Sequence, residues 1–497
     1  MPEAISPTQP QSFRRHFQNW LSWAGMVLGA AALFAFVLLF AIDLFAPAKN
    51  PYIGILAYVI APFFFLLGVA LTLLGAILHK REERRAIRLE KKHRILQIDL
   101  SRKRDRRILA AFALGAVGFL FLTALGSYET YQYTESVDFC GKRCHVPMKP
   151  QFIAAQHTAH AQVECVNCHV GPGAAAYFKT KLNGVRQLYH TVLGDFDRPI
   201  YITGETRPDQ EICLQCHWPN RYVGTVDRTY QHYLSDEANT PFAVRLLLNV
   251  GGGEPSRGPV GGIHWHMNIA NKVEYIATDK DAETIPWVRV TNAQGQTTEY
   301  RTDVFKGEPS QHEIRRMDCL DCHSRPAHNV MPPNDAVDVS IAAGRIDPKI
   351  PFAKAKVVAA LTQPYTSEQE ALQAIATSLR TAYPDAAQAD PLIAEAQAIY
   401  RQNFFPEMKT NWRTHPNNIG HKDWNGCFRC HDGNHKTADG KKTISANDCN
   451  SCHLILAQGS GEELKKLNAN GYPFFHIDAE FSEFSCTTCH TGGPQLP

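Results

Sequence analysis

The chain has 497 residues, 44% of them apolar, with a formal charge of +3, 14 cysteines and 22 histidines. That near-neutral total hides a division: residues 1–107 hold 16 Lys or Arg against 7 Asp or Glu, and the remainder holds 35 against 41. An acidic remainder argues against nucleic acid and for a positively charged or lysine-rimmed docking protein, with plain solvated surface charge as the alternative, and no phosphate loop, nucleophile elbow or dinucleotide fingerprint interrupts it.

In chain order, three uncharged runs come first: Trp23 to Ile42, Tyr52 to Leu78 and Ile108 to Ser127, of 20, 27 and 20 residues. Each is long enough to cross roughly 30 Å of hydrocarbon as a helix. The loop 79–107 between the second and third has 13 Lys or Arg against 5 Asp or Glu, whereas Asp43 to Pro51 has one lysine. The positive-inside rule puts the basic loop in the cytoplasm. Arg14 and Arg15 before the first run, and Ala46, Pro47 and Ala48 after it, also suit a cleaved signal peptide, although the run exceeds the usual signal core. Either way the third span delivers Tyr128 to Pro497 to the outer side. No histidine lies within a span, so nothing there ligates an intramembrane haem.

Beyond the spans, all fourteen cysteines fall into seven motifs. Six read Cys-x-x-Cys-His: Cys165/Cys168/His169, Cys213/Cys216/His217, Cys319/Cys322/His323, Cys427/Cys430/His431, Cys449/Cys452/His453 and Cys486/Cys489/His490. The first is longer by one residue, Cys140/Cys144/His145. Two thiols at this spacing form thioethers to one porphyrin, and the adjacent imidazole reaches the iron. A single motif also suits zinc or a disulfide, but seven copies with no cysteine left over predict seven covalently bound haem c groups.

Low-spin electron carriers need a second axial ligand, and the outer region has twelve histidines outside the motifs. His160, His264, His266, His328, His421, His435 and His476, in loop-like contexts near motifs, are the candidates, preferred over His157, His190, His232, His312 and His415. Met148, three residues after His145, is a candidate soft ligand, with ordinary packing as the alternative.

Seven haems in 370 residues leave too little protein for separate domains, so porphyrins are expected to supply much of the core. Lys272 to Thr278, Trp287 to Thr291, a turn at Asn292 to Gln296, and Thr297 to Thr302 alternate as strands of a small sheet. Ala353 to Leu361, Ser367 to Tyr383 and Pro391 to Phe404 have helical periodicity and lie in the haem-free stretch between Cys322 and Cys427. The expected organisation is a membrane anchor at 1–127, a haem region at 128–240 with three motifs, a β-rich insert at 241–310, and a haem region at 311–497 with four motifs and a helical segment at 335–410. The fold class is a membrane-anchored multihaem cytochrome c, with three transmembrane helices and a mainly α and loop heptahaem domain.

A hydrophobic anchor running into a first haem motif with Met148 behind it, closely followed by a second motif, resembles the NapC/NirT family of membrane-bound quinol dehydrogenases. Gly171, Pro172, Gly173, Lys181, Leu182, Leu188, Tyr189 and Gly194 are similar to the family's segment after its second haem, so the likeness spans roughly residues 108 to 220. GIHWH at Gly262 to His266, RPAH at Arg325 to His328 and GCFRCHDGNH at Gly426 to His435 resemble the longer, seven-haem, ImcH-like inner-membrane cytochromes. The resemblance implies oxidation of a quinol such as menaquinol at a bacterial inner membrane, in respiration, with the haem domain in the periplasm and periplasmic c-type cytochromes as acceptors.

Three departures are visible. The first motif is longer by a residue, Met148 follows His145 by three residues where shorter members have two, and Gln187 and Leu188 stand where those members have an acid. Lys181 matches their quinone-contacting lysine. Quinol oxidation must remove two electrons and two protons, so Lys181 is expected to hold a quinol oxygen and Asp138 or Glu135 to take a proton. Two rival readings remain: an electron-feeding subunit of one periplasmic reductase, docking through the haem-free stretch, and a terminal multihaem reductase. The second needs an open iron, and the supply of histidines argues against it.

Overall fold

The computed structural model describes residues 17, 19–45, 60–88, 101–143, 145–170, 174–201, 209–217, 224–251, 261–267, 271–445, 449–477 and 485–494. The expected cleavage-like Ala46 to Ala48, part of the basic loop and Gly171 to Gly173 lie outside these residues. Two compact units result: residues 1–136 with 169–187, and residues 137–168 with 188–497.

In the first unit, α1 (Trp20–Phe45) packs along α2 (Ala61–Arg88), followed by α3 (Lys103–Glu135). Small residues let the first two approach at backbone distance: a Cβ on Gly68 would stand 2.6 Å from the Gly29 amide nitrogen, and the Ser22 hydroxyl donates to the Thr72 carbonyl at 2.9 Å. Close Gly and Ser contacts with a shared hydrogen bond are the usual glue where lipid removes the hydrophobic drive. Among the described residues, two stretches, Trp20–Val37 and Ala61–Arg81, are long and apolar enough to cross a membrane. The third expected span lies inside α3, whose 33 residues extend about 50 Å at 1.5 Å per residue.

The second unit carries the motif-bearing segments around two sheets and a helical module. The first sheet joins β1 (Val226–Tyr233), β2 (Pro241–Leu248) and β7 (His453–Gly459), all antiparallel, in the order β1-β2-β7. It stitches the chain just after the third motif to a strand that begins at the sixth motif's histidine. In the second sheet, β3 (Lys272–Ile276), β4 (Trp287–Thr291) and β5 (Thr297–Arg301) form a meander extended by the short β6 (Arg315–Arg316). Strands and turn fall where alternation predicts them. Val273, Tyr275, Ile285 and Val288 make its core, with Trp265 and Cys430 packed against them.

The helical module comprises α9 (Pro333–Ala342), α10 (Ala353–Leu361), α11 (Glu368–Ala382) and α12 (Ala386–Asn403). Val337, Val357, Leu361, Ile375, Leu379 and Leu392 are essentially fully buried in one apolar cluster. This is a conventional protein core, in contrast to the porphyrin-built interior expected from residue count alone. Inside it, Lys354 Nζ pairs with Asp338 at 2.6 Å, and Asp338 also accepts from the Tyr233 amide at 3.2 Å. Asn239, at the β1–β2 turn, donates to the Ile350 carbonyl at 2.8 Å and accepts from the Lys354 amide at 2.9 Å, docking the first sheet on the module. The module also holds motif-bearing chain at two edges. Lys149, on α4 (His145–Gln156), pairs with Glu368, and Trp412 donates its indole N–H to the Thr491 carbonyl at 2.8 Å.

Candidate haem-binding site

Most motifs fold as a single tight turn. The second forms α5 (Cys165–His169), α6 (Ala174–Leu193) follows it, and α7 (Asp209–Cys213) ends at the third motif. The fourth and sixth make α8 (Cys319–Cys322) and α13 (Cys449–Cys452), and the fifth and seventh lie in 3₁₀ turns at Gly426–Arg429 and Cys486–Thr488. One turn brings residues three apart to the same side, so both thiols face one porphyrin edge. The longer first motif lies instead in a π-helical turn, Phe139–Arg143, whose i→i+5 closure absorbs the extra residue. Gly141 permits it: a Cβ there would meet the Phe152 ring at 2.0 Å. Cys144, and the side chains of His145 and Cys449, lie outside the described residues.

The twelve described cysteines are free of disulfides. The turns close alike: the Cys216 and Cys489 amides donate to the Cys213 and Cys486 carbonyls, each at 3.2 Å.

Thiol interactions also order the motifs. A hydrogen bond from Cys140 pulls the Cys165 thiol down to about 7, and one with Cys213 pushes Cys319 well above the normal thiol range. Cys168 likewise lies near Cys213 and Cys216, Cys322 near Cys427, and Cys427 near Cys452. Each of these interactions joins motifs consecutive in the chain, so neighbouring attachment turns lie side by side.

Five motif histidines face a second histidine. The ring centres of His160 and His217 are 5.9 Å apart, His264 and His323 6.2 Å, His266 and His431 5.9 Å, His421 and His453 6.2 Å, and His476 and His490 6.1 Å. Interplanar angles range from 6° to 86°, so ring stacking does not explain the constant spacing. A metal–nitrogen bond of about 2 Å on each side, plus the reach from nitrogen to ring centre, separates two imidazoles on one iron by about 6 Å. The residues therefore fit haem iron held from both faces.

Hydrogen bonding supports that fit. Nδ1 of His160 faces the Pro326 carbonyl at 2.8 Å, His264 the Val250 carbonyl at 3.1 Å, and His266 the Ile263 carbonyl at 2.8 Å. A ring nitrogen committed to a carbonyl fixes the tautomer and turns Nε2 toward the metal. Burial lowers the pKa of His169, His264, His323, His421, His431, His453 and His490, keeping them neutral, the form that binds metal.

One turn supplies two of these facing histidines. In the 3₁₀ segment Ile263–Met267, Trp265 packs on the second sheet's core, so His264 and His266 on either side reach different motif histidines. Gly262 opens the turn at φ +72°, where a Cβ would stand 2.5 Å from the Asn249 carbonyl oxygen.

The other histidines lie elsewhere. His435 is 1% exposed, with Nδ1 2.9 Å from Asp432 Oδ1 and Nε2 2.7 Å from the Ile285 carbonyl, so both nitrogens are engaged and neither is left for iron. His328 keeps the ligand habit, its Nδ1 facing the Gln151 carbonyl on α4 at 3.1 Å. His232 bonds Asp338 at 3.2 Å, His190 lies 3.7 Å from Asp195, His312 packs near Phe305 and His415 near Tyr201, while His157 is exposed. His232, Asp335 and Asp338 cluster, but Lys422 and Lys354 already neutralise the two acids. Met148 is half-buried on α4, one turn after His145. Residues three apart share a helix face, so the two are alternatives for one side of an iron and not partners across it.

Of the expected quinol residues, Lys181 lies on α6 with its side chain outside the described residues. Glu135 is 5% exposed in the last turn of α3. Asp138 is exposed and pairs with Lys142 at 2.9 Å. The three thus stand on separate elements: α6, the end of α3 and the segment just after it.

Paired thiols and facing imidazoles on a helical anchor define a membrane-attached c-type cytochrome, and the N-terminal region of the NapC/NirT cytochrome c family matches residues 102–211. Over 488 residues, 95% of both chains, the sequence is 37% identical to cytochrome c-type protein ImcH of Geobacter sulfurreducens. The chain belongs to the NapC/NirT family in its ImcH-like branch, and with that membership come covalently bound haem c, a membrane anchor and a role in electron transfer. No solved structure matches it.

Proposed function

We propose that the chain is a heptahaem quinol dehydrogenase of a bacterial inner membrane, oxidising menaquinol or a similar quinol and delivering electrons to periplasmic c-type cytochromes. The observation that carries this reading is the set of five facing histidine pairs, each built from one motif histidine and one from outside the motifs. Haem c, when bound, supplies reversible one-electron chemistry at its iron. The seven cysteine pairs would hold the porphyrins by thioethers. The motif histidines would each hold an iron, and His160, His264, His266, His421 and His476 would be the second ligands in the third to seventh motifs. His328 serves the first or second motif, and His435 serves none.

Three spans, with loop 79–107 in the cytoplasm, put the haem region in the periplasm. Lys181 polarises and orients a quinol oxygen, while Asp138 or Glu135 receives the proton that must leave with each electron. A second histidine facing the third to seventh motifs argues against an open-iron terminal reductase. The helical module is a scaffold in this reading and not the docking face of a dedicated feeding subunit, since its large apolar residues are consumed in its own core.

Anaerobic stopped-flow mixing of the oxidised, detergent-solubilised protein with a menaquinol analogue tests the proposal. Fast haem reduction that Lys181→Ala loses is the expected result. No reduction by quinol, with dithionite still effective, would overturn it and point to a partner subunit as the electron source.

A further inference from the structure

Helix α6, Ala174–Leu193, leaves a long apolar stripe uncovered. Leu182, Val185, Tyr189 and Val192 follow the i, i+3, i+7, i+10 spacing of one helical face, and they are 56%, 67%, 62% and 77% exposed. Leu188 and Leu193, at 54% and 59%, widen the same stripe. Asn183, Arg186 and Gln187 are exposed as well, and only Thr180, His190 and Thr191 are half-buried among the described positions from 179 on. A surface helix in water buries its apolar face; this one presents it.

We infer that α6 lies along the membrane–water interface with its apolar face in the lipid, as a second membrane contact beyond the spanning helices. Three observations favour lipid as the occupant. The family is membrane-anchored. Residues 169–187, which include most of the helix, cluster in the same compact unit as α1, α2 and α3. Lys179 and Arg186, seven residues apart, adjoin the apolar stripe on one side, where cations meet lipid phosphates. An apolar face about half a turn wide, bordered by cations, is the pattern of helices that lie in the headgroup boundary.

Lys181 has a distinctive position on this helix. It shares a register with Val185, Leu188 and Val192, so it belongs to the lipid-facing stripe and not to the basic border. A lysine there lies at the depth where a lipid-soluble quinol presents its head group. This consequence rests on the quinol reading, whereas the lipid contact of the helix does not.

The test uses the full-length, haem-loaded protein in nanodiscs of phosphatidylethanolamine and phosphatidylglycerol. A benzophenone amino acid replaces Leu182, Val185, Tyr189 or Val192 in one set, and Asn183, Gln187 or His190 in the other. After irradiation, mass spectrometry counts phospholipid adducts. Adducts about tenfold more frequent in the first set are expected. Equal adducts on both faces, or crosslinks only within the chain or to a second copy, overturn the inference. Quinol reduction of unmodified protein in the same nanodiscs separates the two readings. Lipid adducts without quinol reduction keep the interfacial helix and remove the quinol role of Lys181; reduction without adducts does the reverse.

Discussion

The helical module and the motif-bearing segments of the same unit are held together by different physics. Between Pro333 and Asn403, four helices bury Val337, Val357, Leu361, Ile375, Leu379 and Leu392, cap their ends with Ser367 and Asp385, and enclose one ion pair. Such a segment needs no cofactor to remove apolar surface from water. The motif segments are short turns, and their chemical content is cysteine and histidine in place of Leu and Ile. Their order depends on the groups those residues bind, as in small metal-dependent domains.

The largest expected effect breaks the two regions apart. Full-length chain made in a host unable to attach haem should lose its motif segments to limited proteolysis, while a fragment spanning about residues 330–412 survives. Survival of the motif turns without haem would erase the contrast. At the level of single residues, His421→Ala should keep all haem attached by pyridine haemochrome assay yet convert one site from low to high spin, whereas His435→Asn should leave the spin state unchanged. Within the scaffold, Asp338→Ala strands Lys354 in the core and should cost about 3–5 kcal/mol in denaturant unfolding. Arg380→Ala removes a pair of exposed side chains, Arg380 and Asp390, and should cost less than about 1 kcal/mol in the same assay.

Legibility in the sequence followed the range of the interactions. Helix periodicity located Ala353–Leu361 to the residue and the next two helices within a few residues, because each buries one stripe on its neighbours. Alternation likewise located β3, β4 and β5. Pro241–Leu248 fell inside the expected β-rich insert, but its partner β1 and its pairing with β7 carried no comparable local signal, since the β2–β7 register joins distant parts of the chain. The distal histidines were harder still. His421 and His435 both stand near motifs in Gly-containing loops, yet one faces His453 and the other is locked between Asp432 and Ile285.

The sequence alone determined how many attachment motifs there are, that no cysteine is spare, and that hydrophobic runs precede them, because each is a property of local spacing. It also carried the π-turn motif as one extra residue between Cys140 and Cys144. Tertiary structure decided that Asn239 docks the first sheet on the helical module, a contact between distant parts of the chain. It decided which histidine meets which motif, since a facing ligand is recruited from any chain distance and only packing, such as Trp265 wedged into the sheet between His264 and His266, selects it. It likewise left the apolar stripe of α6 uncovered: an amphipathic pattern names an apolar face, and only the surrounding fold determines whether anything packs on it.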